Sequence, residues 1–184
     1  MASACIMILP VRRAKARGSK ALSVLEICRY LQHTEWATAL RQADFAFPLI
    51  EGTHILALSI SVGLVFMLDL RLLRLGFQSE PATKVMQQVM RWALPGFGVI
   101  FVTGLLLFFA QAESVYGNSY FRVKILLLAL AGINAAWYQY KYYPHMAEWD
   151  TAESVPAGPR IVAVLSLALW IVVIACGRLT AYEL

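Results

Sequence analysis

The sequence is poor in the residues that carry soluble chemistry. Of its 184 residues, 15% are charged, three are histidines and three are cysteines. The cysteines, Cys5, Cys28 and Cys176, make no CxxC pair and no regular framework, which argues against a zinc ribbon or a disulfide scaffold, and no structural disulfide is expected. Ser-His-Asp order, a Walker element, a glycine-rich phosphate loop and paired carboxylates are all missing, so catalysis of the soluble type is not expected. The apolar segments lack period-two alternation, and open sheet edges are not tolerated in hydrocarbon, which removes strands. Basic residues outnumber acidic ones by 16 to 11. They form no stripe interleaved with aromatics on a soluble fold, so no nucleic-acid partner is expected.

What the chain has in abundance is apolar length. Hydrophobic residues make up 60% of it, against roughly 45 to 50% in soluble domains, and lipid must be the solvent for much of the molecule. Four windows, about 45–68, 92–112, 121–143 and 161–182, meet the requirement of about 20 apolar residues for crossing some 30 Å of hydrocarbon. The expected fold is all-α, an integral membrane four-helix bundle with membrane lipid as its main surroundings. Tyr116-Gly117-Asn118, Pro144, Pro156 and Pro159 punctuate the windows, and aromatic residues such as Trp92, Tyr120, Tyr140 and Trp149 crowd their ends as interfacial belts do.

Ahead of the first window, residues 21–43 set Leu22, Leu25, Ile27, Leu31, Trp36 and Leu40 among polar neighbours, and read as one or two amphipathic helices on the membrane surface. Residues 1–20 read as a disordered basic tail. Arg12, Arg13, Lys15, Arg17 and Lys20 precede the first acid, Glu26, and suit an anionic membrane face. The apolar stretch Ile6 to Val11 comes before this cluster rather than after it, unlike a signal peptide. Residues 44–184 form the transmembrane domain. Four spans place both termini on one face, called proximal below, and the Lys and Arg bias assigns that face to the cytoplasm.

The stretches Phe47-Pro48-Leu49-Ile50-Glu51-Gly52-Thr53-His54, Asp69-Leu70-Arg71-Leu72-Leu73, Thr103-Gly104-Leu105-Leu106, Phe121-Arg122-Val123-Lys124, Ala131-Gly132-Ile133-Asn134-Ala135, Ala147-Glu148-Trp149-Asp150 and Gly177-Arg178-Leu179 occur in one order. As a set they resemble a bacterial family of small four-helix membrane proteins of unknown function, over about Thr34 to Tyr182. The resemblance implies a bacterial inner membrane and no established activity. In the family pattern a histidine stands five residues after the Asn134 position, where this chain has Gln139, which puts any ligation from that position in doubt.

The residues that invite chemistry lie near the proximal face. Glu51 and His54, three apart, share a helical face, the spacing with which helix bundles build carboxylate metal sites. One such pair is half a site, and no second Glu-x-x-His lies in a span. A b-type haem is a candidate cofactor, yet His54 is the sole histidine of the apolar windows and six-coordinate haem usually takes two axial side chains. At 1.5 Å per residue His54 lies roughly 12 Å and Gln139 roughly 25 Å below the proximal face, so the two would not flank one iron.

Glu51 and Arg178 fall at one level, roughly 7 to 8 Å deep, and are expected to form a buried ion pair beside Lys124, making this end the polar pole of the bundle with no comparable set opposite. Thr103 and Asn134 are expected to hydrogen-bond between helices, and Ser59 with Gly63, Ala131 with Ala135 and Gly132 with Ala136 to mark close approaches. The first functional reading is a redox-linked role such as electron transfer, with haem, a metal or a quinone held by Glu51, His54, Lys124 and Arg178. The alternative is a non-catalytic accessory or assembly subunit docked to a membrane-protein partner, or a homo-oligomer.

Overall fold

The computed structural model describes residues 24–150 and 154–182. The basic tail expected over 1–20 and Cys5 lie outside them. Two short amphipathic helices come first, α1 (Val24–Gln32) and α2 (Glu35–Gln42), followed by the long helices α3 (Ala46–Leu72) and α4 (Ala82–Ala110). A short α5 (Ala112–Gly117) leads into α6 (Ser119–Lys141), a 3-10 turn (Tyr143–His145) and α7 (Met146–Trp149) follow, and α8 (Ala157–Tyr182) completes the chain. Among the described residues there are no strands. Four helical stretches, Ala46–Leu72, Ala82–Ala110, Ser119–Trp149 and Ala157–Tyr182, are long and apolar enough to cross a membrane. The protein is a multi-pass, all-α membrane protein.

Helix α3 is the hub: it packs along α4 on one side and α8 on the other, and α8 packs along α6. Helices α4 and α6 are not packed along each other, and meet at the proximal end through the stacked rings of Phe108 and Phe121, 5.7 Å between centroids. The main apolar core lies in the distal half, where Leu68, Leu72, Val85, Met86, Val89, Tyr138, Met146 and Val162 come together.

The second spanning helix begins ten residues earlier than its apolar window. Val85, Met86 and Val89 form a stripe that buries against the end of α3 while Lys84 and Gln88 face outward. An amphipathic turn of this kind is invisible to a pure hydropathy window. Asn118 caps α6, its side chain accepting from the backbone N–H of Tyr120 and Phe121, which gives the Gly117-Asn118 turn signal its physical role.

Helix α3 ends in a Schellman motif: Leu75 N–H donates to Leu70 O and Arg74 N–H to Arg71 O, with Arg74 left-handed at φ 62°, a place usually given to glycine. The expected close approach at Gly132 is not found, since a Cβ there would meet nothing within 4 Å. Ala131, one residue earlier, points inward instead. Helices α3 and α4 cross closely at Ser61 and Gly96, where a Cβ on Gly96 would stand 2.0 Å from Ser61 Oγ. Pro95, one residue earlier in α4, leaves a backbone carbonyl of the preceding turn without its helical N–H, which a neighbouring helix makes tolerable.

Candidate functional site

Each long helix contributes a side chain to a polar cluster in the proximal half, called the chamber below. At 1.5 Å per residue, His54 on α3, Thr103 on α4, Lys124 on α6 and Cys176 on α8 all lie roughly 8 to 12 Å from the proximal helix ends. His54 Nδ1 is 2.8 Å from Thr103 Oγ1. The Thr103 hydroxyl donates to Val99 O at 2.6 Å, with Ile100 O at 3.3 Å as a second acceptor. With its proton given to its own helix, the Thr103 oxygen accepts from His54. With Nδ1 as the donor, Nε2 is the nitrogen that keeps its lone pair, the arrangement by which a hydroxyl or carbonyl orients a ligating imidazole.

Two glycines make room. A Cβ on Gly104 would lie 3.2 Å from His54 Cε1, and one on Gly177 would lie 3.3 Å from Lys124 Nζ. The Lys124 ammonium lies within electrostatic reach of both His54 and Cys176. Among the described residues it has no ion-pair or hydrogen-bond partner. The chamber thus offers one lone pair and one unneutralised cation in half-buried surroundings.

The expected pair of Glu51 with Arg178 is not formed. Both side chains are exposed, and the Arg178 guanidinium lies 5.9 Å from the Tyr182 ring centroid. Helices α3 and α8 are neighbours as the pairing required, but Val173, Cys176 and Thr180 define the inner face of α8, and Arg178, two residues from each of the last two, turns roughly 200° away. Among the described residues no group of three or more His, Cys, Asp and Glu is placed to hold a metal ion. Glu51 and His54 remain half a metal site, and the chamber brings together His54 and Lys124 alone of the four candidates.

Asn134 donates to Val162 O at 3.1 Å, joining α6 to α8 as its polar character in an apolar window suggests. Above the chamber, α1 is tied to α5 by Arg29, whose Nη2 and Nε lie 2.7 and 3.0 Å from Glu113 Oε1. This guanidinium holds the Glu113 carboxyl below the usual carboxylate range. Arg41 reaches the Ala110 carbonyl at the end of α4, where lone carbonyls need donors.

The distal end is polar as well, against expectation. Asp69 is 5% exposed, with Ser166 as its hydrogen-bonding neighbour and Oδ2 unpartnered. Arg71 is 7% exposed. Asp150 accepts from the Thr83 backbone N–H at 3.2 Å and from its hydroxyl. The alternation Asp69-Leu70-Arg71 was the available signal. It reads as the charged end of a span until the loop after α3 and the turn around α7 are seen to fold over it.

No curated protein matches the chain, and no solved structure does. Residues 45–183, more than half of the chain and all four spanning helices, match the model of a family of unknown function, DUF6644. The chain belongs to that family.

Proposed function

We propose that this is a redox-linked membrane protein whose proximal chamber takes the polar head of a lipid-soluble quinone or quinol. The observation that carries this reading is the contact of His54 Nδ1 with a Thr103 hydroxyl that donates to its own helix, set beside a Lys124 unpaired among the described residues. Nε2 accepts from a quinol hydroxyl, and the ammonium donates to a quinone carbonyl, so both oxidation levels of one ligand find a partner. The ring of such a ligand partitions into hydrocarbon, and the glycines at 104 and 177 let the His54 ring and the Lys124 ammonium lie close against α4 and α8. A b-type haem would use the same Nε2 as its axial ligand. It is the weaker reading, because a second axial side chain from this chain is not at hand.

The test is organic extraction and visible absorption of the full-length protein purified in mild detergent. A quinone should co-extract with the wild type and be lost from His54→Ala and Lys124→Met. A Soret band lost in His54→Ala would replace the quinone with haem. A colourless, quinone-free protein that copurifies with a stoichiometric membrane partner would overturn both in favour of an accessory subunit.

A further inference from the structure

At the distal end, the segment joining α3 to α4 and the turn around α7 border a half-open cavity of about 260 Å³, lined by Arg71, Arg74, Ser79, Glu80, Trp149 and Asp150 among others. Arg71 is the feature that requires explanation. The residue is buried, with 7% of its surface exposed, and among the described residues its side chain makes one hydrogen bond, Nε donating to Glu80 O at 3.0 Å. Among the described residues no carboxylate lies within ion-pair distance of it. A buried cation without a counter-charge is costly, and buried charges are ordinarily paired.

The described acids nearby are bound to other groups or face away. Asp150 is bound by the backbone and hydroxyl of Thr83, Glu80 is paired with Lys84 at 2.7 Å, and Asp69 lies two residues from Arg71 along α3, hence on another face of the helix. Arg74 adds a second guanidinium at the rim, held there by a left-handed backbone that favours glycine. The first turn of the 29-residue α4 also borders the cavity through Ala82, where the Thr83 N–H is already taken by Asp150 and the positive end of the helix dipole adds to the guanidinium charge.

We propose that this cavity is an anion site for a phosphate group, either free phosphate or the phosphate of an anionic lipid head. Two guanidinium forks match the paired oxygens of a phosphate, and the Ser79 hydroxyl and Gln78 amide line the same space as further donors. The cavity lies at the distal ends of α3 and α4, the level at which lipid phosphates meet a spanning helix. The proposal is independent of the proximal chamber and stands if that chamber binds nothing.

The experiment uses the full chain in detergent, with thermal unfolding and native mass spectrometry as readouts. One arm titrates inorganic phosphate against chloride at equal ionic strength. The other compares phosphatidylglycerol with a phosphate-free glycolipid of the same acyl chains. Stabilisation by phosphate alone identifies a free anion, and selective retention of phosphatidylglycerol identifies a lipid head. In either case Arg74→Gln, an exposed position whose change spares the core, should weaken binding roughly 10- to 100-fold, the equivalent of one lost charge-assisted hydrogen bond. Arg71→Lys, which keeps the charge and loses the fork, should weaken it as well. Absence of binding in both arms, or binding unchanged in Arg74→Gln, would overturn the proposal.

Discussion

Replacing Gly96 with alanine tests the crossing of α3 and α4. The new Cβ would stand 2.0 Å from Ser61 Oγ and 3.3 Å from Ser61 Cβ. Ser61 is fully buried, so either the hydroxyl rotates into already filled space or the helices part. Overpacking of this kind costs about 1 to 3 kcal/mol. Among the described residues the Ser61 hydroxyl has no hydrogen-bond partner, and a buried hydroxyl in that condition costs a similar amount, about 1 to 3 kcal/mol. Ser61→Ala alone should therefore be neutral or stabilising. In the Gly96→Ala background it deletes the atom at 2.0 Å and leaves the milder contact at 3.3 Å, so most of the lost stability should return.

Thermal unfolding of the four proteins in detergent, followed by circular dichroism, completes the cycle. Gly96→Ala is expected to lower the midpoint by roughly 2 to 12 °C, with a coupling between the two sites of about 0.5 to 3 kcal/mol. An unchanged midpoint in Gly96→Ala, or strictly additive effects in the double variant, would refute the reasoning.

Asn134→Leu removes the bond to Val162 O that joins α6 to α8, and should cost about 0.6 to 2 kcal/mol in the same assay; no loss would mean that the carbonyl is equally well served without it. Arg74→Gly relieves a left-handed arginine at the end of α3 and should stabilise the protein by about 1 kcal/mol, with a lower midpoint counting against the Schellman geometry. The depressed Glu113 carboxyl contributes stability that is present above its unfolded value of about 4.3 and is lost as pH falls through its lower folded value. Cleavage of α1 by pepsin should accordingly increase as the solution is acidified below about pH 4, and Glu113→Gln should abolish that step. A reporter fused after Leu184 and a cysteine label placed within residues 2–20 should report the same side of the membrane, and opposite sides would contradict four spans.

The four spans were legible because apolar length is a one-dimensional property, and lipid leaves helices as the economical way to satisfy the backbone. Helix direction also made depth readable, which is why counting residues from the helix ends is enough to set His54 and Lys124 at similar levels. Depth without rotation misled the reading at Arg178: the register of α8 is set by Val173, Cys176 and Thr180, and their small-to-medium side chains do not stand out within a uniformly apolar helix. Gly132 failed for the same reason, one residue away from the inward-facing Ala131. The distal cavity was hidden differently. Arg71, Asp150 and Thr83 meet only after a loop and a short helix fold back over the end of the bundle, and nothing in their spacing announces it.

The unsealed edge between α4 and α6, closed at its proximal end by Phe108 and Phe121, has a kinetic consequence. A molecule dissolved in the bilayer would approach the chamber sideways, by two-dimensional diffusion at the concentration set by its partition into lipid, without leaving hydrocarbon. Its supply would then depend on membrane composition rather than on aqueous solubility.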